Sequence, residues 1–356
     1  MITVFTPSFA DDDNTNAQNL TVKEVVARLD PARFRVVMLG SNKPDERIAA
    51  RANTRILPWG KRAGSARILW HLLAEIPDLY FFPREGPLDR AFLVLRRRLN
   101  LKTALVTYVV SGGLEKDNRP LLFRTIRESD IAAGNSHYMA EITQKLGGRN
   151  VQTIYDGIDR RYYYAEPGSS QESGERRVLF ASSFRRYKRA DLMIREAEKL
   201  PQWEFRLAGE GEEEAACRRL AEARNCRNVR FLGHLNSTQL GEEMRQAKIL
   251  FHPSEIEGHP QALGQAAACG LPCVARKSYN PDYVIEGVTG LLAGSDDELG
   301  EALARLTGDS DLRRNMSAAA IEHAAKFDWD DVAEQWSRVF ELAVIERQNQ
   351  RRQRIS

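Results

Sequence analysis

The segment Pro253-Ser254-Glu255-Ile256-Glu257-Gly258-His259-Pro260-Gln261-Ala262-Leu263-Gly264-Gln265-Ala266-Ala267-Ala268-Cys269-Gly270-Leu271-Pro272 gathers residues suited to chemistry. An apolar strand ends at Pro253, a short loop carries the carboxylates of Glu255 and Glu257, and a helix reads from near Pro260 to Gly270. Proline at a helix's first turn and glycine beyond its end are the expected asymmetry. The first-turn N–H groups have no partner in their own helix, and the helix dipole makes that end partially positive. Such an end can accept a diphosphate. Glu257 stands just before it, and Gln265 follows eight positions later, about two helical turns along.

This segment resembles the donor-site signature of the retaining glycosyltransferases of family four, the glycosyl transferases group 1. Their pattern is Glu-Gly-x-x-x-x-x-x-Glu-Ala-x-Ala-x-Gly-x-Pro. The resemblance implies a GT-B fold, with Glu257 contacting the transferred sugar and Gly258, His259, Pro260, Gln261, Ala262 and Leu263 forming the turn around the donor. Gln265 stands where the family has a ribose-binding Glu. An amide can still accept from one hydroxyl and donate to another, without the stronger charge-assisted bonds.

Further segments carry the resemblance in order. Leu207-Ala208-Gly209-Glu210-Gly211 is similar to the family's Gly-x-Gly turn, and Asn228-Val229-Arg230-Phe231-Leu232-Gly233-His234-Leu235 to the stretch whose backbone meets the nucleobase. Gly287-Val288-Thr289-Gly290-Leu291-Leu292 and Phe327-Asp328-Trp329 resemble the strand after the donor site and the start of the last helix. In Ser182-Ser183-Phe184-Arg185-Arg186-Tyr187-Lys188-Arg189, Lys188 aligns with the family's diphosphate-binding Lys, and Ser183 takes the place of its Arg. Arg185 or Arg186 can replace that guanidinium, because such a group grips phosphate oxygens bidentately.

The N-terminal half resembles the family weakly. Ala10-Asp11-Asp12-Asp13-Asn14-Thr15-Asn16 replaces the usual glycine-rich turn, and the three Asp read as an acidic or acceptor-facing loop rather than a metal site. Thr107-Tyr108-Val109-Val110-Ser111 lacks the family's His, which leaves Tyr108 or Ser111 in its space. Asn14, Thr15, Tyr108, Ser111 and His137 are the acceptor-side candidates.

These residues need elements to hold them. Short apolar runs at 2–6, 34–39, 79–82, 103–110 and 130–133 read as strands, with helical periodicity at 20–29 and 68–76 between them. A second series follows at 178–181, 205–208, 229–232, 249–252 and 273–275, with a helix at 190–200. This alternation argues for parallel sheets wrapped by helices. The expected architecture is α/β: two Rossmann-like doubly wound parallel-sheet domains facing a central cleft. The first spans 1–165 and takes the acceptor. The second spans 166–330 and takes the donor. A helix at 331–356 packs back on the first domain and ends in a basic tail. Glu166-Pro167-Gly168-Ser169-Ser170-Gln171-Glu172-Ser173-Gly174 reads as the linker.

Composition bounds the rest. With 356 residues, 28% of them charged and 42% hydrophobic, the chain has globular proportions. No apolar run is long enough to span a membrane, and the N-terminus reads as a first strand rather than a signal peptide. Cys217, Cys226, Cys269 and Cys273 lack zinc-site spacing and read as thiols of a reducing compartment. The net charge of +3 divides into about +7 over residues 1–150 and about −4 over the remainder. Arg96-Arg97-Arg98 and Lys61-Arg62 are its densest points, on a face that is solvated or meets an anionic membrane or acceptor. No nucleic-acid-binding motif accompanies the charge.

The expected activity is thus transfer of a sugar from a nucleoside diphosphate sugar, as co-substrate, to a glycan, lipid-linked or small-molecule acceptor. No metal or other cofactor is expected, and the location is cytoplasmic or peripheral to a membrane. The alternatives are a non-catalytic nucleotide- or glycan-binding protein, to which Gln265 and Ser183 point, and an epimerase or phosphorylase on the same fold.

Overall fold

The computed structural model describes residues 1–12, 17–60, 64–110, 119–166 and 176–353. Asn14, Thr15, Ser111, the Lys61-Arg62 pair and most of the expected linker lie outside these residues. The chain divides into two compact units, one of 1–157 with 329–356 and the other of 158–328.

The first unit holds seven parallel strands: β1 (Ile2–Phe9), β2 (Phe34–Gly40), β3 (Thr54–Pro58), β4 (Leu79–Phe81), β5 (Ala104–Val109), β6 (Ile131–Gly134) and β7 (Val151–Thr153), in the order β3-β2-β1-β4-β5-β6-β7. Successive side chains of a strand point to opposite faces. Val4, Val36, Leu79 and Ala104 therefore enter one core, while Phe5, Val37, Tyr80 and Leu105 enter another. Both faces are covered, which is why the strands are apolar runs rather than alternating ones. The edge strands β3 and β7 escape the sequence reading because each is short and partly exposed.

One face of this sheet is covered from the far end of the chain. The helix Trp329–Gln353 buries Trp329, Val332, Trp336, Val339 and Phe340 in the first core. Trp336 meets Phe81 at 4.8 Å and Tyr108 at 4.9 Å between ring centroids. Arg28–Asp330 and Arg33–Glu341 ion pairs, at 2.7 and 2.9 Å, fasten its outer side.

The second unit repeats the plan with β8 (Arg177–Ala181), β9 (Glu204–Ala208), β10 (Val229–Gly233), β11 (Ile249–His252), β12 (Cys273–Arg276) and β13 (Gly290–Ala293), all parallel, in the order β10-β9-β8-β11-β12-β13. Strand order reverses between β1 and β4 in the first sheet and between β8 and β11 in the second. Ligands of doubly wound sheets bind at the carboxyl ends of the strands at such switch points.

Candidate functional site

β8 and β11 deliver the two segments singled out in the sequence to one place. After β8 the chain forms a turn of 3-10 helix, Arg186–Lys188, and Arg189 takes the left-handed region at φ 54° before the helix Ala190–Lys199. After β11 it forms the Pro253–Pro260 loop and the helix Gln261–Ala268, with Pro260 at the cap position. Backbone and side chains tie these loops together. Glu255 donates its N–H to Tyr187 O at 2.8 Å, Arg276 Nε donates to Pro253 O at 2.9 Å, and Ser278 Oγ to Glu255 O at 3.2 Å. Arg189 is held charged by Asp191 first, then by Asp296 and Glu255, with ion-pair distances of 3.0, 2.9 and 2.8 Å.

Within this frame Lys188 Nζ pairs with Glu257 Oε1. His252 Nε2 lies 3.0 Å from the same oxygen. Burial alone would raise the Glu257 pKa, but the His252 hydrogen bond and the Lys188 charge outweigh it and hold the group down at about 2. A carboxylate that stays ionised while nearly buried can accept hydroxyl hydrogen bonds that are charge-assisted. His252 was missed in the sequence, although a polar residue closing the apolar run Ile249-Leu250-Phe251 was a usable signal. It is 2% exposed, and its Nδ1 is buried without a hydrogen-bond partner among the described residues.

The Gly-x-Gly turn is shaped by backbone contact. Gly209 adopts φ +133°, and a Cβ there would lie 2.0 Å from Ser182 O; one on Gly211 would lie 2.7 Å from Phe184 O. Only glycine permits this approach. The turn is pinned by Phe184 N–H to Glu210 O at 2.9 Å and Gly209 N–H to Gly233 O at 2.8 Å. It thus lies between the Ser183 loop and the end of β10. There Leu232 is half-buried and the exposed His234 donates its N–H to Glu210 Oε1 at 3.3 Å.

Around the helix Gln261–Ala268, Gly258, His259, Pro260 and Leu263 are buried, and Gln261, Ala262 and Gln265 are half-buried. The His259 ring stacks on Tyr283 with centroids 3.7 Å apart. Gly264 makes room for that tyrosine, since a Cβ would lie 2.6 Å from its ring. Arg185 and Arg186 are not brought to Lys188 and Glu257. Both are exposed and line a separate cavity of about 410 Å³ with Arg189, Asp191, Glu213 and Glu255.

The described acceptor-side candidates lie in the first unit. Tyr108 is buried, with its hydroxyl 2.9 Å from Ile154 O and 3.1 Å from Asp156 Oδ1. Asp156 also accepts from Thr21 Oγ1 and Asn135 Nδ2, each at 3.0 Å, and burial raises its pKa despite these bonds. His137 is exposed at the start of the helix His137–Lys145, with Nδ1 2.9 Å from the Tyr155 hydroxyl. Among the described residues no three His, Cys, Asp or Glu side chains gather as metal ligands. No described helix is long and apolar enough to cross a membrane.

Known proteins resemble this chain. The family model described as Glycosyl transferases group 1 matches residues 166–323. An uncharacterized glycosyltransferase of Methanocaldococcus jannaschii is 25% identical over 58% of this chain and 58% of its own. The N-acetyl-alpha-D-glucosaminyl L-malate synthase of Bacillus anthracis is 27% identical over 69% of each chain. The chain therefore spans little more than half the length of the first of these relatives. The crystal structure of Anabaena HepE in complex with UDP and glucose superposes with a TM-score of 0.77, 17% identity, and coverage of 96% of this chain and 99% of that one. Residues 166–323 match the glycosyl transferases group 1 model, and the chain has the GT-B fold.

Proposed function

We propose that this chain is a retaining glycosyltransferase that moves a hexosyl-type sugar from a nucleoside diphosphate sugar to an acceptor held by the first unit. The observation that carries this reading is the ionised Glu257, paired with Lys188 at the β8/β11 switch point and followed at once by a helix N-terminus. Glu257 holds the sugar hydroxyls. Lys188 and the first turn of the helix Gln261–Ala268 take up the charge that develops on the departing diphosphate, which is electrostatic stabilisation of a leaving group. These groups perform the neutralisation without a metal ion. The relative solved with UDP and glucose supports a uridine donor.

The departing phosphate, on the face the acceptor attacks, assists the acceptor hydroxyl's deprotonation, so no protein base is assigned. Cytoplasmic location belongs to the same proposal, supported by four free thiols. So does salt-sensitive contact of the basic first unit with anionic membranes.

The test is thermal denaturation with UDP, GDP, ADP, dTDP and CDP, alone and as their common sugars, with and without EDTA. A ligand at 100 times its dissociation constant stabilises by about 2.7 kcal/mol. A shift with one base that survives EDTA supports the reading, and no shift with any of them refutes it.

A further inference from the structure

The switch point of the first sheet, between β1 and β4, holds a guanidinium that no carboxylate hydrogen-bonds among the described residues. Arg84 follows the end of β4 and donates to Ser8 Oγ at 2.9 Å, Asn19 Oδ1 at 2.6 Å and Gln18 Oε1, all uncharged acceptors. It lies over the Phe82 ring, 4.8 Å from the centroid. Among the described residues no carboxylate pairs with it. Asp89 acts on it through its charge, and its two oxygens accept from the Tyr80 hydroxyl at 2.7 Å and the Gly86 N–H at 2.8 Å. Glu85 is paired with Arg119. Burial of this unpaired charge lowers the Arg84 pKa to about 10.

The backbone around Arg84 is strained in a way that helps place it. Phe82 at φ 55° and Glu85 at φ 59° flank it in the left-handed region. A bulky residue in that conformation is strained and persists where the surroundings enforce it, commonly at ligand sites. Arg84 also borders a cavity of about 320 Å³ lined by the apolar Phe9, Leu39, Trp59, Pro87 and Leu88 and by the polar Asn19, Ser65 and Asp89. A concave, largely apolar pocket with a few placed polar groups is the usual form of a small-molecule site. Arginine is suited to phosphate and carboxylate because its planar fork binds their oxygens in pairs.

Resting on the proposed transfer reaction, we propose that the acceptor is an anionic amphiphile. Its phosphate or carboxylate group is held by Arg84, and the apolar part beside that group fills the cavity of Phe9, Leu39, Trp59, Pro87 and Leu88. This explains why Arg84 is held by neutral oxygens only: they orient the guanidinium and leave its charge for the ligand.

The test is calorimetric titration of the full chain with n-octyl phosphate, n-octanol and inorganic phosphate. Octyl phosphate should bind at least tenfold more tightly than either of the others. Arg84→Gln should weaken it at least tenfold, and Arg84→Lys by less. Ser65→Trp, which fills the cavity from its rim and leaves Arg84 in place, should also weaken octyl phosphate at least tenfold. Equal affinity for octanol would overturn the role of the charge, and equal affinity for inorganic phosphate would overturn that of the cavity. Unchanged octyl phosphate binding in Arg84→Gln overturns the proposal outright; if that variant does not fold, unchanged binding in Ser65→Trp does so instead. Nucleotide melting shifts on the same samples separate the two readings. Octyl phosphate binding without any nucleotide shift sinks the transfer reaction and keeps the anionic site. A nucleotide shift without octyl phosphate binding sinks only this inference.

Discussion

Lys188 and Glu257 are separated by 69 positions in the chain and meet as an ion pair, one beyond the end of β8 and the other beyond the end of β11. His252 shares the same Glu257 oxygen, so two cationic or hydrogen-bonding partners hold one carboxylate. The pair sits where doubly wound sheets place ligands, and it sets the expectations below.

Replacing Glu257 with Gln keeps the shape of the loop and removes the charge. Transfer should fall by about 10²–10³, the size of effect seen when a transition-state electrostatic contact is lost. Nucleotide binding, followed by melting shift, should persist. Turnover within threefold of wild type would refute the role given to this carboxylate.

The same carboxylate shapes the acid limb of stability. Its folded pKa, about 2, lies below the ordinary value of 4.5. The contribution is therefore fully present above about pH 4.5 and is lost as pH falls towards 2, amounting to a few kcal/mol. Denaturant titrations of the second unit between pH 5 and 2 should show a shallower pH slope in Glu257→Gln than in wild type. Parallel slopes would show that the group is not depressed.

Gly209→Ala forces a Cβ towards Ser182 O at a backbone angle of φ +133°. A cost of about 2–4 kcal/mol is expected, or a displaced Ser182–Phe184 loop. The denaturation midpoint of the second unit and its nucleotide affinity should both drop. An alanine variant with both unchanged would mean that the turn is not packed as described.

Gln265→Glu tests the proposed ribose contact from the other direction. The residue lies half-buried on the helix Gln261–Ala268, and a carboxylate makes stronger bonds to hydroxyls than an amide does. Nucleoside diphosphate affinity should rise by about tenfold at neutral pH, by calorimetry. No gain, or a loss, would remove Gln265 from the ribose site.

Trp336→Ala removes a fully buried ring from the core of the first unit, where it touches Phe81 and Tyr108. About 3–5 kcal/mol should be lost. The loss should appear in the first unit's unfolding transition and leave nucleotide binding by the second unit intact. A loss shared equally by both transitions would contradict the division into units.

The sequence by itself determined the alternation of strands and helices and marked out Glu257 just before the helix Gln261–Ala268. Each rests on contiguous residues: a buried parallel strand must be an apolar run, and a helix start must show its proline and glycine punctuation. Only the tertiary structure decided which side chains share a site. That Lys188 meets Glu257 follows from β8 lying beside β11, an adjacency that no local pattern encodes. His252 reaches Glu257 from the end of its own strand, β11. Arg185 and Arg186, two or three positions before Lys188, line a cavity with Arg189, Asp191, Glu213 and Glu255, which their spacing in the chain did not reveal. Arg84 was invisible in the sequence for a related reason. What marks Arg84 out is that its hydrogen-bond partners among the described residues are all neutral, and partners are a property of the folded chain.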